Sequence, residues 1–238
     1  MKPICAIVGA GEGLGAALAG RFAAEGFDLA LMSRTETGAA TAITAASDCA
    51  KARHYACDAT QPETVEAALS DAAKHGRIEV LIYNVRGGFP RQEPLDMTYA
   101  DLETSLRAEV IGAFAAAKAV LPAMRGRGRG SIFFSSATAA FRGSATHPVY
   151  AIGKFGLRGL SQSLAKAYGK DGVHIAHMRL DCDLDTPIMA ALYGDAYDPA
   201  SLARPADVAE AYWLTHQQPR GAWSNEVELR PMGETWTY

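Results

Sequence analysis

Short apolar runs alternate with segments of helical spacing along the whole chain. Runs of β-branched and other apolar residues, bounded by turn residues, predict strands. Seven such runs lie near 3–8, 28–33, 52–57, 78–83, 130–136, 173–179 and 226–230. The segments between them carry apolar residues at the spacing of one helix face, as in 101–124. This alternation is typical of a parallel sheet covered on both sides, so the pattern predicts the α/β class.

The first predicted strand ends in a turn crowded with glycine, after which helical spacing resumes. Glycine tolerates positive φ and lets the backbone approach a ligand closely, and the N terminus of the next helix presents free N–H groups to phosphates. This order of strand, glycine turn and helix favours a dinucleotide site over a ligand-free surface turn. The predicted cofactor contacts here are Gly9, Gly11, Glu12, Gly13, Leu14 and Gly15.

Length and composition favour one domain over residues 1–238. With 238 residues, 49% of them apolar, the chain can bury one large core. Together with the glycine turn, this predicts a single doubly wound, Rossmann-type parallel sheet of about seven strands with helices on both faces. In such a sheet the ligand crevice lies at the carboxyl ends of the strands.

The charge balance and the apolar segments argue against several kinds of partner. The 26 acidic and 23 basic residues are mixed along the chain and leave a net charge of -3, so neither nucleic acid nor a membrane is expected as a partner. No stretch reaches the roughly 20 apolar residues that span a bilayer, and the N terminus does not resemble a signal peptide. Cys5, Cys49, Cys57 and Cys182 lack metal-ligand spacing, so no metal is expected. We expect a cytoplasmic protein with reduced, mostly buried thiols.

The residues after the second strand bear on the choice of cofactor. An acidic side chain at this point commonly bonds the ribose 2′-OH of NAD, but Ser33 and Arg34 follow the strand here. A guanidinium beside a hydroxyl suits a 2′-phosphate, because arginine offers several donors in a fixed fork. NADP(H) is therefore favoured, and NAD(H) stays open. The alternative interpretation of Arg34 is an exposed loop cation.

Tyr150 and Lys154 are the candidate catalytic pair. They stand four residues apart on a predicted helix, which puts the phenol and the ammonium on one face. A phenol of pKa about 10 works as an acid or base near neutrality if its pKa falls by about 3 units, and a neighbouring cation supplies the field. We therefore expect Lys154 to lower the pKa of Tyr150 and to hold the ribose of a cofactor. An exposed helical pair is the alternative.

Three motifs in register resemble those of the classical short-chain dehydrogenases/reductases over essentially the whole chain. They are Gly9-x-x-x-Gly13-x-Gly15, Asn84 after the fourth strand and Tyr150-x-x-x-Lys154. The resemblance implies hydride transfer between a nicotinamide and a carbonyl or alcohol substrate, and a homo-oligomer, either dimer or tetramer. It adds cofactor contacts at Asp58, Ala59, Asn84, Val85, Tyr150, Lys154, Leu184 and Thr186. Asp58 has an alternative role as a cap of the helix that follows Pro62.

Two positions depart from the pattern of that family. The serine that the family places thirteen residues before the tyrosine is Ala137 here, flanked by Ser136 and Thr138. Ser136 and Thr138 are equal candidates for its role, and a third possibility is that no side chain polarises the carbonyl. Glu109 stands where the family has an asparagine that supports a proton-relay water.

The stretch near 182–204 is predicted to cover the substrate. Its apolar and aromatic residues, among them Leu192 and Tyr193, suit a largely apolar carbonyl compound or alcohol, although they could also form a subunit contact. His174 and His177 precede it and are interpreted as structural. The C-terminal residues 230–236 resemble an Arg-Pro-x-x-Glu-x-Trp pattern from one branch of the family.

The sequence therefore supports a leading function and an alternative. The leading function is NADP(H)-dependent oxidoreduction, with Tyr150 as acid or base and Lys154 as its partner. The alternative is a nucleotide-binding protein with little or no turnover, which Ala137 and Glu109 favour. An isomerase or dehydratase has no residue that supports it specifically.

Overall fold

One sheet of seven parallel strands, in the order β3-β2-β1-β4-β5-β6-β7, organises the molecule. The computed structural model describes residues 2–46 and 51–233. The strands are β1 (Pro3–Val8), β2 (Asp28–Ser33), β3 (Ala52–Ala56), β4 (Arg77–Tyr83), β5 (Gly130–Ala137), β6 (Val173–Leu180) and β7 (Glu226–Leu229). The predicted α/β class and doubly wound sheet are confirmed, because a fully buried parallel strand reads as an apolar run.

Eight α-helices connect and cover the strands within the described residues. They are α1 (Leu14–Ala24), α2 (Glu36–Ala46), α3 (Pro62–Ala73), α4 (Tyr99–Leu106), α5 (Gly112–Gly126), α6 (Pro148–Tyr168), α7 (Pro187–Tyr193) and α8 (Pro205–His216). One apolar core lies between the sheet and α3, α5 and α6. A second core lies on the other face, against α1, α2 and α8.

The helix predicted over 101–124 is interrupted by a π turn, Arg107–Ile111, between α4 and α5. At its end the Gly112 N–H donates to the Arg107 carbonyl, five residues back, and not to that of Ala108. The Ala108 carbonyl instead accepts a hydrogen bond from the Tyr83 hydroxyl. Helical periodicity could not predict this turn, because the turn depends on the side chain of Tyr83, which belongs to β4.

Where β1 and β4 lie side by side, the order of the strands reverses direction along the chain. The loops that follow the two strands therefore diverge to opposite faces and leave a crevice at the carboxyl edge of the sheet. The predicted site residues follow β1, β2, β3, β4, β5 and β6, or start α6. The fold thus brings them to one edge.

The described residues include three of the four cysteines and part of the C-terminal pattern. Cys49, Glu234 and Trp236 lie outside the described residues. Cys5 and Cys57 are buried free thiols, and Cys182 is half-buried. None of the described helices combines the length and apolar character that a membrane crossing requires. In residues 2–46 and 51–233, no three His, Cys, Asp or Glu side chains are grouped so as to hold a metal ion.

Candidate active site

The turn after β1 forms a backbone cradle at the start of α1. Gly9 and Gly13 have φ angles of 89° and 77°, a region that favours glycine. An added Cβ at Gly9 would lie 2.4 Å from the Asn84 carbonyl oxygen, so β4 approaches the turn closely. At the N terminus of α1, Gly13 supplies no side-chain cap to the helix N–H groups. Those groups are placed to bind a phosphate.

The other residues of the turn differ in exposure. Glu12 is exposed and Gly11 is half-buried, whereas Leu14 and Gly15 are buried. An added Cβ at Gly15 would lie 2.9 Å from the Gly9 carbonyl oxygen. The turn is therefore fixed by close backbone packing as well as by its φ angles.

Ser33, at the end of β2, is already engaged within the chain. Its hydroxyl donates to the Thr35 carbonyl oxygen at 2.6 Å. The Nε2 of His54 lies 3.1 Å from the same hydroxyl oxygen. Ser33 therefore has no spare proton to offer an anion in this arrangement, and the neighbouring arginine is the better candidate.

Arg34 and Asp58 face one another across the ends of β2 and β3. Arg34 is exposed. The Asp58 carboxylate accepts hydrogen bonds from the Thr60 N–H and hydroxyl, at 2.9 and 2.8 Å. Those bonds hold the pKa of Asp58 below its usual range, and the charge of Arg34 adds to the effect. Asp58 does not cap α3, whose N-cap residue is Gln61, so the alternative role in the sequence analysis is wrong.

Asn84 and Val85 connect the glycine turn to the catalytic pair. The Asn84 N–H donates to the Val8 carbonyl at 2.7 Å, and its side-chain Nδ2 donates to the Gly9 carbonyl at 3.1 Å. The carbonyl oxygen of Val85 accepts a hydrogen bond from the Lys154 ammonium at 3.3 Å. Ala59 lies at the same edge, half-buried, after β3.

Tyr150 and Lys154 stand one turn apart near the start of α6. They are buried, with 9% and 2% of their surfaces exposed, so the exposed-pair alternative is wrong. The Lys154 Nζ lies 5.6 Å from the centre of the Tyr150 ring. On its other side, the Tyr150 ring meets the edge of Phe89, with ring centres 4.9 Å apart. Phe89 also stacks on His147 at 3.9 Å, which adds an aromatic wall beside the phenol.

Lys154 is held by the buried carboxylate of Glu109, a pairing that the sequence pattern does not reveal. The Nζ of Lys154 lies 2.7 Å from Oε2 of Glu109, and 0% of the Glu109 side chain is exposed. The other carboxylate oxygen, Oε1, accepts the Gly87 N–H at 2.6 Å. The Ser135 carbonyl adds a further acceptor for Lys154, at 3.3 Å. The sequence signal for this ion pair is the single carboxylate in the apolar run 108–117.

The expectation that Lys154 lowers the pKa of Tyr150 below that of free tyrosine is wrong. Burial raises the pKa of Tyr150, the charge of Lys154 lowers it, the charge of Glu109 raises it, and the net pKa lies above the ordinary value. Burial alone lowers the pKa of Lys154, but Glu109 and Tyr150 more than offset this effect and raise it. The ammonium therefore keeps its charge, and the charge of Glu109 opposes its effect on the phenol.

The structure separates the two candidate hydroxyls at the end of β5. Ser135 points away from α6, since its hydroxyl accepts a bond from Tyr212 of α8 at 2.8 Å. Side chains alternate along a strand, so Ser136 points toward α6 and Ala137 points away. The Ser136 hydroxyl is buried and has no hydrogen-bond partner among the described residues. The Thr138 hydroxyl instead donates to the Asp181 carboxylate.

The stretch after β6 crosses back over the glycine turn. An added Cβ at Gly13 would lie 2.9 Å from the Thr186 methyl group, so Thr186 reaches the start of α1. Leu184 pairs with Ala203 in a parallel bridge, which closes the base of the 182–204 stretch. Within this stretch Leu192 is 73% exposed.

These residues together fit a nicotinamide dinucleotide. The glycine cradle and the start of α1 would hold the pyrophosphate, and Asp58 and Arg34 lie where an adenosine would reach. Tyr150, Lys154 and Thr186 lie where the nicotinamide half would reach. The buried Ser136 hydroxyl that lacks a partner suits a carbonyl oxygen of a ligand.

Comparison with known proteins agrees with this arrangement. The sequence matches the short chain dehydrogenase family model over residues 3–193. It is 31% identical over 175 residues to D-threitol dehydrogenase of Mycolicibacterium smegmatis (strain ATCC 700084 / mc(2)155), covering 72% of this chain and 66% of that protein. It is 34% identical over 176 residues to the short-chain reductase protein NovJ of Streptomyces niveus, covering 73% and 66%. The aligned part thus spans just under two thirds of each relative.

Solved structures give the same result for the fold. A short-chain dehydrogenase from Rhodopseudomonas palustris superposes with a TM-score of 0.82 at 31% identity, over 96% of this chain and 98% of that one. A metagenomic short-chain oxidoreductase in complex with NADP has a TM-score of 0.83 at 24% identity, over 97% of both chains. The second likeness shows the fold alone. On the family match and the relatives, this chain belongs to the short-chain dehydrogenase/reductase family of oxidoreductases.

Proposed function

We propose that the protein is an NADP(H)-dependent oxidoreductase that transfers a hydride between the nicotinamide and a carbonyl or alcohol substrate. The observation that carries the proposal is the buried pair of Tyr150 and Lys154, one helical turn apart beside the glycine cradle. Membership of a dehydrogenase family supports the reaction class. A bound nicotinamide supplies the hydride, and the side chains supply orientation and a proton.

In this mechanism Tyr150 is the proton donor for carbonyl reduction and the acceptor for alcohol oxidation. Its hydroxyl bonds the carbonyl oxygen and gives up its proton as that oxygen gains negative charge. Ser136 bonds the same oxygen and stabilises the developing charge. Lys154 holds a ribose hydroxyl of the cofactor while its ammonium stays anchored by Glu109.

The choice of NADP(H) rests on Arg34. This side chain is exposed beside the end of β2, and its charge contributes to the lowered pKa of Asp58. A guanidinium there can pair with a 2′-phosphate, whereas a carboxylate, which would repel that phosphate, is missing from the end of β2. ElxO and the metagenomic oxidoreductase, both of the same fold, were solved with NADP, which supports a cofactor of that kind.

The substrate is proposed to be largely apolar. Phe89 and the stacked His147 stand next to Tyr150, and the 182–204 stretch carries the exposed Leu192. The Tyr193 hydroxyl donates to Asp183 at 2.6 Å, which ties α7 to the first residues of this stretch. We infer that residues 182–204 cover the substrate once it is bound.

A cytoplasmic location is proposed from the thiols. Cys5 and Cys57 are free and buried, and burial raises the pKa of each thiol. Thiols kept protonated in this way suit a reducing compartment.

A nucleotide-binding protein with little turnover is the alternative, and the Glu109–Lys154 ion pair favours it because it weakens the field at Tyr150. An absorbance screen at the nicotinamide band separates the two. The purified protein is mixed with each reduced or oxidised cofactor and a panel of apolar ketones and alcohols. Cofactor binding without any oxidation or reduction would move the conclusion to the alternative.

Tyr150→Phe tests the proton donor. The variant keeps the ring and its contact with Phe89 but lacks the hydroxyl, so turnover should fall by about a hundredfold to ten-thousandfold. Cofactor affinity should change little, because the ring and the other cofactor contacts, those of Lys154 and the glycine turn among them, are kept. Steady-state rates and cofactor titration measure the two quantities. Tyr168→Phe, at the far end of the same helix, is the control and should keep parental turnover; parental turnover in Tyr150→Phe would contradict the assignment.

Ser136→Ala and Thr138→Val distinguish the two hydroxyls. Ser136 faces α6 with a free hydroxyl, so its loss should lower kcat by about a hundredfold to a thousandfold. Thr138 is engaged with Asp181, so Thr138→Val should lower stability while kcat stays within a few-fold of the parent. Steady-state kinetics and thermal unfolding of both variants give the comparison. The reverse order of effects on kcat would assign the role to Thr138.

Arg34→Ala tests the cofactor preference. Loss of a charge-assisted pair with the 2′-phosphate should weaken NADPH binding about ten- to a hundredfold and leave NADH binding nearly unchanged. The parental preference should also weaken as salt rises. Fluorescence titration with both cofactors measures it. Arg53→Ala removes an exposed arginine at the second residue of β3 and is the matched control. An equal NADPH affinity in Arg34→Ala and parent would leave Arg34 a loop cation.

A homo-oligomer is proposed from an apolar surface shared by the π turn, α5 and α6. Ile111, Phe114, Ile152 and Phe155 are each at least 40% exposed. A second copy of the chain would cover them, as expected for the helices of this family. Light scattering at micromolar concentration should give at least twice the mass of one chain, and Phe114→Glu should lower it. A parental mass of one chain would contradict the proposal.

A further inference from the structure

The Glu109 carboxylate occupies a built position. It lies on the π turn, both of its oxygens have partners, and none of the side chain is exposed. An added Cβ at Gly87 would lie 3.1 Å from Oε1, and one at Gly153 would lie 2.9 Å from Cγ. Glycine at these two positions therefore leaves the room that the carboxylate fills. The position therefore accommodates a side chain that is long enough to reach Lys154.

Charges face the Tyr150 phenol from four elements. Lys154 on α6 and Arg86 after β4 are positive, whereas Glu109 on the π turn and Asp183 after β6 are negative. The two carboxylates thus oppose the effect of the two cations on the phenol. Removal of Glu109 alone would leave two cations against one carboxylate.

Lys154 also meets groups on its other sides. The carbonyl oxygens of Val85 and Ser135 would remain as acceptors for the ammonium without Glu109, each at 3.3 Å. Burial lowers the pKa of His177 on β6, and the charge of Lys154 adds to this lowering. The ammonium therefore has partners that can keep it in place when the charge of Glu109 is removed.

We propose that Glu109 is a positioning residue that holds the Lys154 ammonium and cancels its field at Tyr150, so that Tyr150 stays a protonated donor for carbonyl reduction into alkaline solution. This rests on the proposed function. In the reduction, a hydride from the reduced nicotinamide forms the new C–H bond and the carbonyl π bond breaks. The oxygen takes the Tyr150 proton, and solvent reprotonates the phenolate that remains.

The test compares two variants that separate charge from reach. Glu109→Gln keeps the size of the side chain and removes its charge, whereas Glu109→Asp keeps the charge and shortens the side chain. Each is measured by the pH dependence of NADPH-dependent carbonyl reduction. Each is also measured without cofactor, by the near-ultraviolet absorbance of tyrosinate against the same protein carrying Tyr150→Phe.

In Glu109→Gln the alkaline limb of reduction and the Tyr150 ionisation should both move to lower pH, by about one unit or more, because the nearby cation is no longer balanced. In Glu109→Asp the rate should fall while the midpoint stays within a few tenths of a unit of the parent. A role confined to structure would lower thermal stability in both variants and move neither midpoint, and that result would overturn the proposal.

The absorbance titration keeps the proposal testable in two unfavourable cases. If Glu109→Gln does not fold, Glu109→Asn removes the same charge with a side chain of the size of aspartate: ionisation of Tyr150 at lower pH than in the parent supports the proposal, and an unmoved midpoint overturns it. If no carbonyl compound is reduced by any of the proteins, the proposed function fails. The titration midpoints of parent and variants still show whether Glu109 opposes Lys154.

Discussion

The ammonium of Lys154 lies almost entirely out of water, and much of the surrounding structure serves to keep it there. An unpaired charge at such a depth costs several kcal/mol, so a buried lysine needs a counter-charge and further hydrogen bonds. Glu109 supplies the charge at 2.7 Å, and the Val85 and Ser135 carbonyls supply the remaining acceptors. Glu109 in turn is fixed by the Gly87 N–H. The ion pair thus joins α6, the π turn, and the ends of β4 and β5.

The π turn is the backbone feature at which this pair is built. The Gly112 N–H donates to the Arg107 carbonyl, and the Tyr83 hydroxyl donates to the Ala108 carbonyl. Gly112 lies close to the loop after β3, since an added Cβ would sit 2.2 Å from the Ala59 carbonyl oxygen. A tyrosine at the end of β4 therefore shapes the helix that carries Glu109. The same edge of the sheet holds both the glycine cradle and the buried ion pair.

The sheet and the cofactor edge could be predicted because their signals are local. Fully buried strands read as apolar runs, the glycine turn follows β1 directly, and Tyr150 and Lys154 are four residues apart on one helix. The remaining features depend on contacts between distant segments. Glu109 on the π turn pairs with Lys154 on α6, and the Thr138 hydroxyl donates to Asp181, which follows β6. The sign of the Tyr150 pKa shift could not be predicted for that reason, since it depends on the burial of the ring and on the Glu109 charge.

A double-mutant cycle in the free energy of unfolding tests the central claim, that Glu109 and Lys154 stabilise one another as a buried pair. Urea unfolding is measured for the parent, Glu109→Gln, Lys154→Met and the double variant. Each single change removes one buried charge and leaves the other unpaired, and should lower the free energy of unfolding by about 3–5 kcal/mol. The double change should lower it by at least about 2 kcal/mol less than the sum of the two single effects. Costs that add within about 0.5 kcal/mol would show that the two side chains are independent and would contradict the account.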